Sequence, residues 1–130
     1  MWLAVVMVGL IAMAGLVFDG GAALQARGRA ADVAQQAARA GADALDPDSV
    51  FGGGGRGGLR AQRAAAQREA QAVLSAAGVT GEVQVAGDAV TVTAHTSRPT
   101  AILTIVGISE VTGTASATAI PLLGTTSEGR

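Results

Sequence analysis

The 130-residue chain contains no cysteine, no tyrosine and no lysine, and each absence removes a class of chemistry. Without cysteine there are no disulfides, thiolate nucleophiles or thiolate metal ligands. Without lysine there is no amine for Schiff-base catalysis and no GxxxxGK[ST] phosphate loop. Aromatic residues are limited to Trp2, Phe18 and Phe51, so any core must be built from small aliphatic side chains. The length leaves room for one small, thin-cored domain at most.

The charges of the chain are nearly balanced, and its basic residues are of one type. All nine basic residues are arginines, set against ten carboxylates, which gives a net charge of −1. Most of the arginines lie between Arg27 and Arg68, interleaved with Ala and Gln rather than with aromatic residues. Nucleic-acid binding favours a basic face with stacking side chains, so we predict no nucleic-acid partner.

The longest apolar run covers residues 1–18, which carry no charged side chain and no proline. A helix of this length reaches about 27 Å, close to the roughly 30 Å of a bilayer's hydrocarbon core. Trp2 stands at one end, where the membrane interface favours it. We predict a transmembrane helix over residues 1–18, with its boundaries marked by Trp2, Asp19, Gly20 and Gly21.

Two other interpretations of this run are a cleaved signal peptide and a buried core helix of a soluble protein. Ala12-Met13-Ala14 imitates a signal-peptidase site, although no basic region precedes the apolar run. Asp19 would be costly in hydrocarbon. We therefore expect its carboxylate to mark the interface or to pair with a cationic group, such as the terminal amine or an arginine.

Residues 19–45 are Ala-rich and free of proline, which predicts that the helix continues to about Leu45, where Asp46-Pro47-Asp48 ends it. Mostly small residues recur at heptad spacing along one stripe of this helix. The stripe consists of Leu24, Gly28, Ala31, Gln35, Ala38, Ala42 and Leu45. Such a stripe suits the close approach of a neighbouring helix. An Ala-rich helix that covers its own small head is an equal alternative.

The remainder predicts a linker followed by a small head. Residues 46–58 include the run FGGGGRGG, which is typical of a flexible linker. Residues 59–77 return to helical spacing, and Gly78 stands where a C-terminal cap belongs. From residue 79 the apolar period becomes two, and Gly87-Asp88 offers the tight turn of a β-hairpin.

Beyond the hairpin, residues 101–108 form an apolar run that fits a short helix or a buried strand, and Pro99 and Gly107 favour the helix. Residues 111–119 alternate again and predict a third strand that pairs with the hairpin. The fold class is therefore α+β. A transmembrane helix continues as a long helix and leads to a head, residues 59–121, in which a helix covers one face of a three-stranded antiparallel sheet; residues 122–130 form a tail.

Candidates for catalysis or metal binding are sparse. His95 is the only histidine, and its alternation with threonines indicates a solvated surface position rather than a metal ligand or a general base. Asp43, Asp46 and Asp48 lack the alternating ligands and the closing Glu of a calcium loop. We predict no catalytic residue, no metal site and no cofactor.

Several of these features occur in a characteristic order. The apolar run passes into Val17-Phe18-Asp19-Gly20-Gly21, and an Ala-rich helix containing Arg27, Arg29 and Asp32 follows. The segments 105–108 (IVGI) and 111–119 (VTGTASATA) come last in this order. This arrangement resembles the TadE/TadG-like proteins of the Tad (Flp) pilus-assembly system.

The resemblance implies a single-pass protein of the cell membrane, with a type IV pilin-like plan and an extracytoplasmic head. It implies a minor pseudopilin or assembly component of a pilus or secretion machine, without catalysis. The partners would be the membrane and other machine subunits, reached through helix packing, and an oligomer is compatible with this plan. One alternative is a membrane-anchored extracytoplasmic binding protein unrelated to pili. Another is an enzyme that uses His95 with a nearby carboxylate, for which the sequence offers no motif.

Overall fold

The computed structural model describes residues 1–45 and 56–121, and it has the α+β architecture that the sequence predicts. Two helices precede three strands, with a short 3₁₀ helix before the last strand. The elements are α1 (Trp2–Asp43), α2 (Arg56–Ala76), β1 (Thr80–Ala86), β2 (Ala89–Pro99), the 3₁₀ helix (Leu103–Val106) and β3 (Glu110–Ala119). The strands form one antiparallel sheet in the order β1-β2-β3. The predicted tail and residues 46–55 of the predicted linker lie outside the described residues.

Helix α1 runs without a break for 42 residues, from the apolar run into the Ala-rich segment. It ends at Asp43, two residues before the predicted end at Leu45. The side chains of its apolar first half are mostly exposed, for example Leu10 at 61% and Val17 at 77%. Residues 1–14 therefore do not form a core helix of the head.

The core lies between the second half of α1, helix α2 and one face of the sheet. Helix α1 packs on β2 and β3, while α2 packs on α1 and β1. The buried side chains are mostly alanines, and they are Ala26, Ala30, Val33, Ala34, Ala37, Ala38, Ala42, Leu45, Ala66, Ala70, Leu74, Val79, Val90, Val92 and Ala94. The largest apolar side chains that are fully buried are Leu74, Val90 and Val92. The core is thin, as the scarcity of aromatic residues predicts.

Most of strand β2 runs antiparallel to the second half of α1. At one end a Cβ on Gly41 would meet the Val90 side chain, and at the other Thr96 Oγ1 donates a hydrogen bond of 2.6 Å to the Ala26 carbonyl. Helix positions 26 and 41 are about 22 Å apart along the axis, and strand positions 90 and 96 about 20 Å. The β1–β2 turn therefore lies at the far end of the head, and the β2–β3 connection reaches back toward the apolar half of α1.

The predicted hairpin and helix cap are confirmed. Residues 87 and 88 connect β1 to β2, and Val83 pairs with Val92 in the register. Gly78 closes α2 at a φ of 64°, where its N–H donates to the Ser75 carbonyl and the Val79 N–H donates to the Leu74 carbonyl. These two bonds form a Schellman cap, which favours glycine because the left-handed conformation penalises a Cβ.

One local prediction needs correction, and one choice that the sequence left open is decided. Helix α2 begins at Arg56, so Gly57 and Gly58, predicted to be in the linker, lie in its first turn. Helix propensity is a weak guide there because packing of the later turns against α1 decides the conformation. In the run 101–108 the favoured short helix is confirmed, since the run contains the 3₁₀ helix rather than a buried strand, and Ile105 within it is 85% exposed.

Candidate functional site

Asp19 forms the junction between α1 and the β2–β3 connection. Its side chain is only 2% exposed. The Ala101 N–H donates to Oδ1 at 3.1 Å, and the N–H groups of Ile102 and Leu103 donate to Oδ2 at 3.1 and 2.8 Å. These donors stand at the start of the 3₁₀ helix, where backbone N–H groups have no partner within the helix. The carboxylate thus caps a helix from another part of the chain.

The cap also determines the ionisation of Asp19. Burial raises the pKa of the carboxyl group, but the backbone N–H bonds from Leu103, Ala101 and Ile102 lower it by more. The net pKa lies below its ordinary value. Asp19 is therefore an anion at neutral pH, and its charge stabilises the junction.

Glycines allow close approach on either side of this junction. A Cβ on Gly15 would lie 2.8 Å from Cδ1 of Ile102. The Ile102 side chain therefore fills the space that a larger residue at position 15 would need. A Cβ on Gly113 would meet the Ala26 carbonyl carbon and would lie 2.5 Å from the Arg27 nitrogen. Real Cβ atoms do not approach backbone atoms so closely, so β3 can contact α1 here only with glycine.

The sequence does not predict this pairing of Asp19. It predicts an interface marker or a partner for a cation, whereas the partners are three backbone N–H groups more than eighty residues away in the chain. Backbone donors carry no signal in the sequence. Two features of the sequence hint at the pairing. One is Asp19 itself, a carboxylate next to an uncharged run, and the other is the apolar segment at residues 101–108, in which a short helix is favoured.

The other predicted boundary residues make fewer contacts. Trp2 is 86% exposed at the start of α1. Gly20 and Gly21 are exposed, and a Cβ on either would have nothing within 4 Å. The structure therefore places Asp19 in the head junction and leaves Trp2, Gly20 and Gly21 on the outer surface of α1.

The predicted helix-packing stripe is divided by the fold. Ala38, Ala42 and Leu45 are 1%, 2% and 2% exposed because they pack in the head core. Leu24, Gly28 and Gln35 are exposed, and Ala31 is half-buried. Helix α1 therefore does cover its own head, which was one of the two equal alternatives. The exposed members remain available for a neighbouring helix.

The outer face of the sheet is polar and exposed. Thr91 pairs with Thr118 and Thr93 with Ser116 through hydroxyl hydrogen bonds of 2.8 and 3.2 Å. His95 lies on this face, as predicted, with its Nδ1 3.1 Å from Thr114 Oγ1. Within residues 1–45 and 56–121, no group of three His, Asp or Glu residues could hold a metal ion.

An open cleft of about 410 Å³ lies beside His95, between Arg29 and Arg98. Arg29 reaches across it and donates from Nη2 to the Ala77 carbonyl at 3.0 Å, which ties α1 to the end of α2. The described residues that line the cleft include no carboxylate.

These features define a class of protein: a small α+β head built along a long helix whose first half could span a membrane. In the described part of the chain, α1 is the one helix with the length and composition for this. The resemblance is confirmed for its N-terminal part, since residues 1–44 match the family model described as Tad, putative Flp pilus-assembly TadE/G-like. The match covers 44 of 130 residues. No curated protein and no solved structure matches the chain.

Proposed function

We propose that this chain is a membrane-anchored minor pseudopilin or assembly component of a Tad/Flp-type pilus or secretion machine. Residues 1–18 would lie in the bilayer, and the head would lie outside the cytoplasm. The observation that carries the proposal is that the family match, residues 1–44, covers all of α1. This helix supplies both the candidate membrane span and the surface on which the head is built. A helix that both anchors the chain and carries the head fits a structural role in assembly better than catalysis.

A second helix would pack on the part of α1 that the head leaves open. We call this the lateral face, and it consists of Gly20, Leu24, Gly28, Ala31 and Gln35. Leu24 is 74% exposed, and a Cβ on Gly20 or Gly28 would have nothing within 4 Å. A glycine in a helix interior costs about 1 kcal/mol relative to alanine, and no contact within the head offsets that cost here. Close packing of a neighbouring helix would offset it.

Adjacent glutamines offer a matched test of the lateral face. Gln35 belongs to the lateral face, Gln36 does not, and both are exposed on α1. We expect Gln35→Arg to reduce co-purification of the tagged chain with pilus components from the native membrane, because a long cation would hold a neighbouring helix away. Gln36→Arg makes the same chemical change outside the face and should leave recovery unchanged.

Equal recovery of the two variants with their pilus partners would contradict packing through the lateral face. If neither the parent chain nor either variant recovers a pilus component, the assembly role itself fails. A membrane-anchored binding protein unrelated to pili would then be the better interpretation. Thermal unfolding of both variants in detergent controls for damage to the head, and neither exposed position should alter it.

A further inference from the structure

The β2–β3 connection exposes an unusual amount of apolar surface. We call residues 100–109 the apolar loop. Residues 99–109 carry no charged side chain. Ile102, Ile105 and Ile108 are 37%, 85% and 47% exposed, although the thin core of the head contains no isoleucine among its described residues. Large aliphatic side chains have thus been left outside while alanines fill the core.

The apolar loop lies beside the candidate membrane span. Asp19 accepts hydrogen bonds from the N–H groups of loop residues 101–103, and Ile102 packs against Gly15. Gly15 lies about 6 Å before Asp19 along the helix axis. Through Ile102 the apolar loop therefore adjoins the apolar surface of α1, where Leu16 and Phe18 are each 68% exposed. The medium around residues 15–19 of α1, whether lipid or water, therefore also surrounds the loop.

Most backbone N–H groups of the apolar loop are hydrogen-bonded within the protein. The donors are the N–H groups of Thr100, Ala101, Ile102, Leu103, Ile105, Gly107 and Ile108. Thr104 turns its hydroxyl inward, to the Thr100 carbonyl at 2.8 Å. A segment in water needs no such arrangement, whereas a segment in lipid must satisfy its polar groups internally because no water is present to do so.

We propose that the apolar loop inserts into the bilayer interface beside α1, so that the protein contacts the membrane at two points. The partner is the boundary between phospholipid headgroups and acyl chains, where interfacial segments bury about 5–10 Å deep. The second contact would set the depth of the helix and prevent the head from tilting or rotating about it. This inference rests on the proposed membrane anchoring of residues 1–18.

The absence of cysteine allows a direct test, because each introduced thiol is unique in the chain. The full chain is reconstituted in vesicles of phosphatidylcholine and phosphatidylglycerol, with an environment-sensitive fluorophore on Ile105→Cys. Leu10→Cys reports the span. Ala86→Cys is exposed at the far end of the sheet and reports the aqueous head. Ile108→Cys is a second probe of the loop if the first variant does not fold.

We expect nitroxide phospholipids with a shallow spin label to quench the Ile105 probe several-fold more than the Ala86 probe. A water-soluble quencher should show the reverse order. If Leu10 is quenched by lipid while Ile105 behaves like Ala86, the loop proposal is overturned and the anchoring stands. If Leu10 is also aqueous, the anchoring has failed. An Ile105 probe protected from both quenchers is covered by protein, which also overturns insertion into lipid.

Discussion

At the scale of single residues, Gly113 sets how closely β3 approaches α1. A side chain here would meet the backbone of Ala26 and Arg27, which cannot move aside as a flexible side chain would. The neighbouring hydrogen bond from Thr96 to the Ala26 carbonyl is buried and depends on the same approach. One missing Cβ therefore supports the contact of two strands with the helix.

We predict that Gly113→Ala destabilises the head by about 1–3 kcal/mol, because the added methyl group overpacks a rigid contact. Gly28→Ala is the matched control, since a Cβ there meets nothing within 4 Å. It should stabilise α1 by about 0.5–1 kcal/mol through helix propensity. Denaturant unfolding of the full chain in detergent, followed by circular dichroism, measures both values. Equal stability of the two variants would show that β3 does not approach α1 so closely.

At the scale of elements, the apolar loop is held to α1 by one ionised side chain. Asp19 accepts hydrogen bonds from three consecutive residues of the loop. Residues 99–109 themselves carry no acidic or basic side chain. The attachment of the loop is therefore coupled to the protonation of this carboxylate.

Because the native pKa of Asp19 is lowered, its contribution is complete above the unfolded-state pKa of about 3.9 and is lost as pH falls through the lower native pKa. We predict that the amide proton shifts of Ala101, Ile102 and Leu103 stay constant around neutral pH and titrate with a midpoint below the ordinary pKa of an aspartate. Nuclear magnetic resonance of the full chain in detergent measures this. Asp19→Asn should abolish the titration, and a midpoint above the ordinary value would refute the cap.

At the scale of the whole molecule, the fold places the head against the half of α1 that follows the candidate span. The sheet lies along residues 26–41 of the helix, and its β2–β3 end faces residues 15–19. Arg27 and Arg29 also follow the span, and by charge bias alone they would favour a cytoplasmic head. The proposed pilin-like topology is the opposite and needs its own test.

We predict that a tag placed after Arg130 is cleaved by protease added to intact cells, while the α1 segment stays in the membrane fraction. The expected topology is that of the pilin-like plan that the resemblance implies. A cytoplasmic marker protein that stays uncut controls for leakage. A tag cut only after permeabilisation would reverse the topology and remove the extracytoplasmic role.

The sequence predicts the elements because their signals are local. The apolar run and the Ala-rich, proline-free segment indicate α1, Gly78 indicates the end of α2, and Gly87-Asp88 indicates the hairpin turn. Where packing competes with propensity the prediction was wrong, as for Gly57 and Gly58 in the first turn of α2. The stripe from Leu24 to Leu45 was recognised, but its division between core and surface depended on where the sheet docks.

An uncharged run long enough to span a bilayer can be predicted from the sequence, as can a long small-residue helix and three alternating strands, because periodicity and charge are properties of neighbouring residues. The fold was needed to show that Asp19 caps a distant 3₁₀ helix and that Gly113 meets Ala26, with three isoleucines left exposed beside the candidate span. Both contacts join residues distant in the chain, and both use backbone atoms. No pattern of side chains could have specified them.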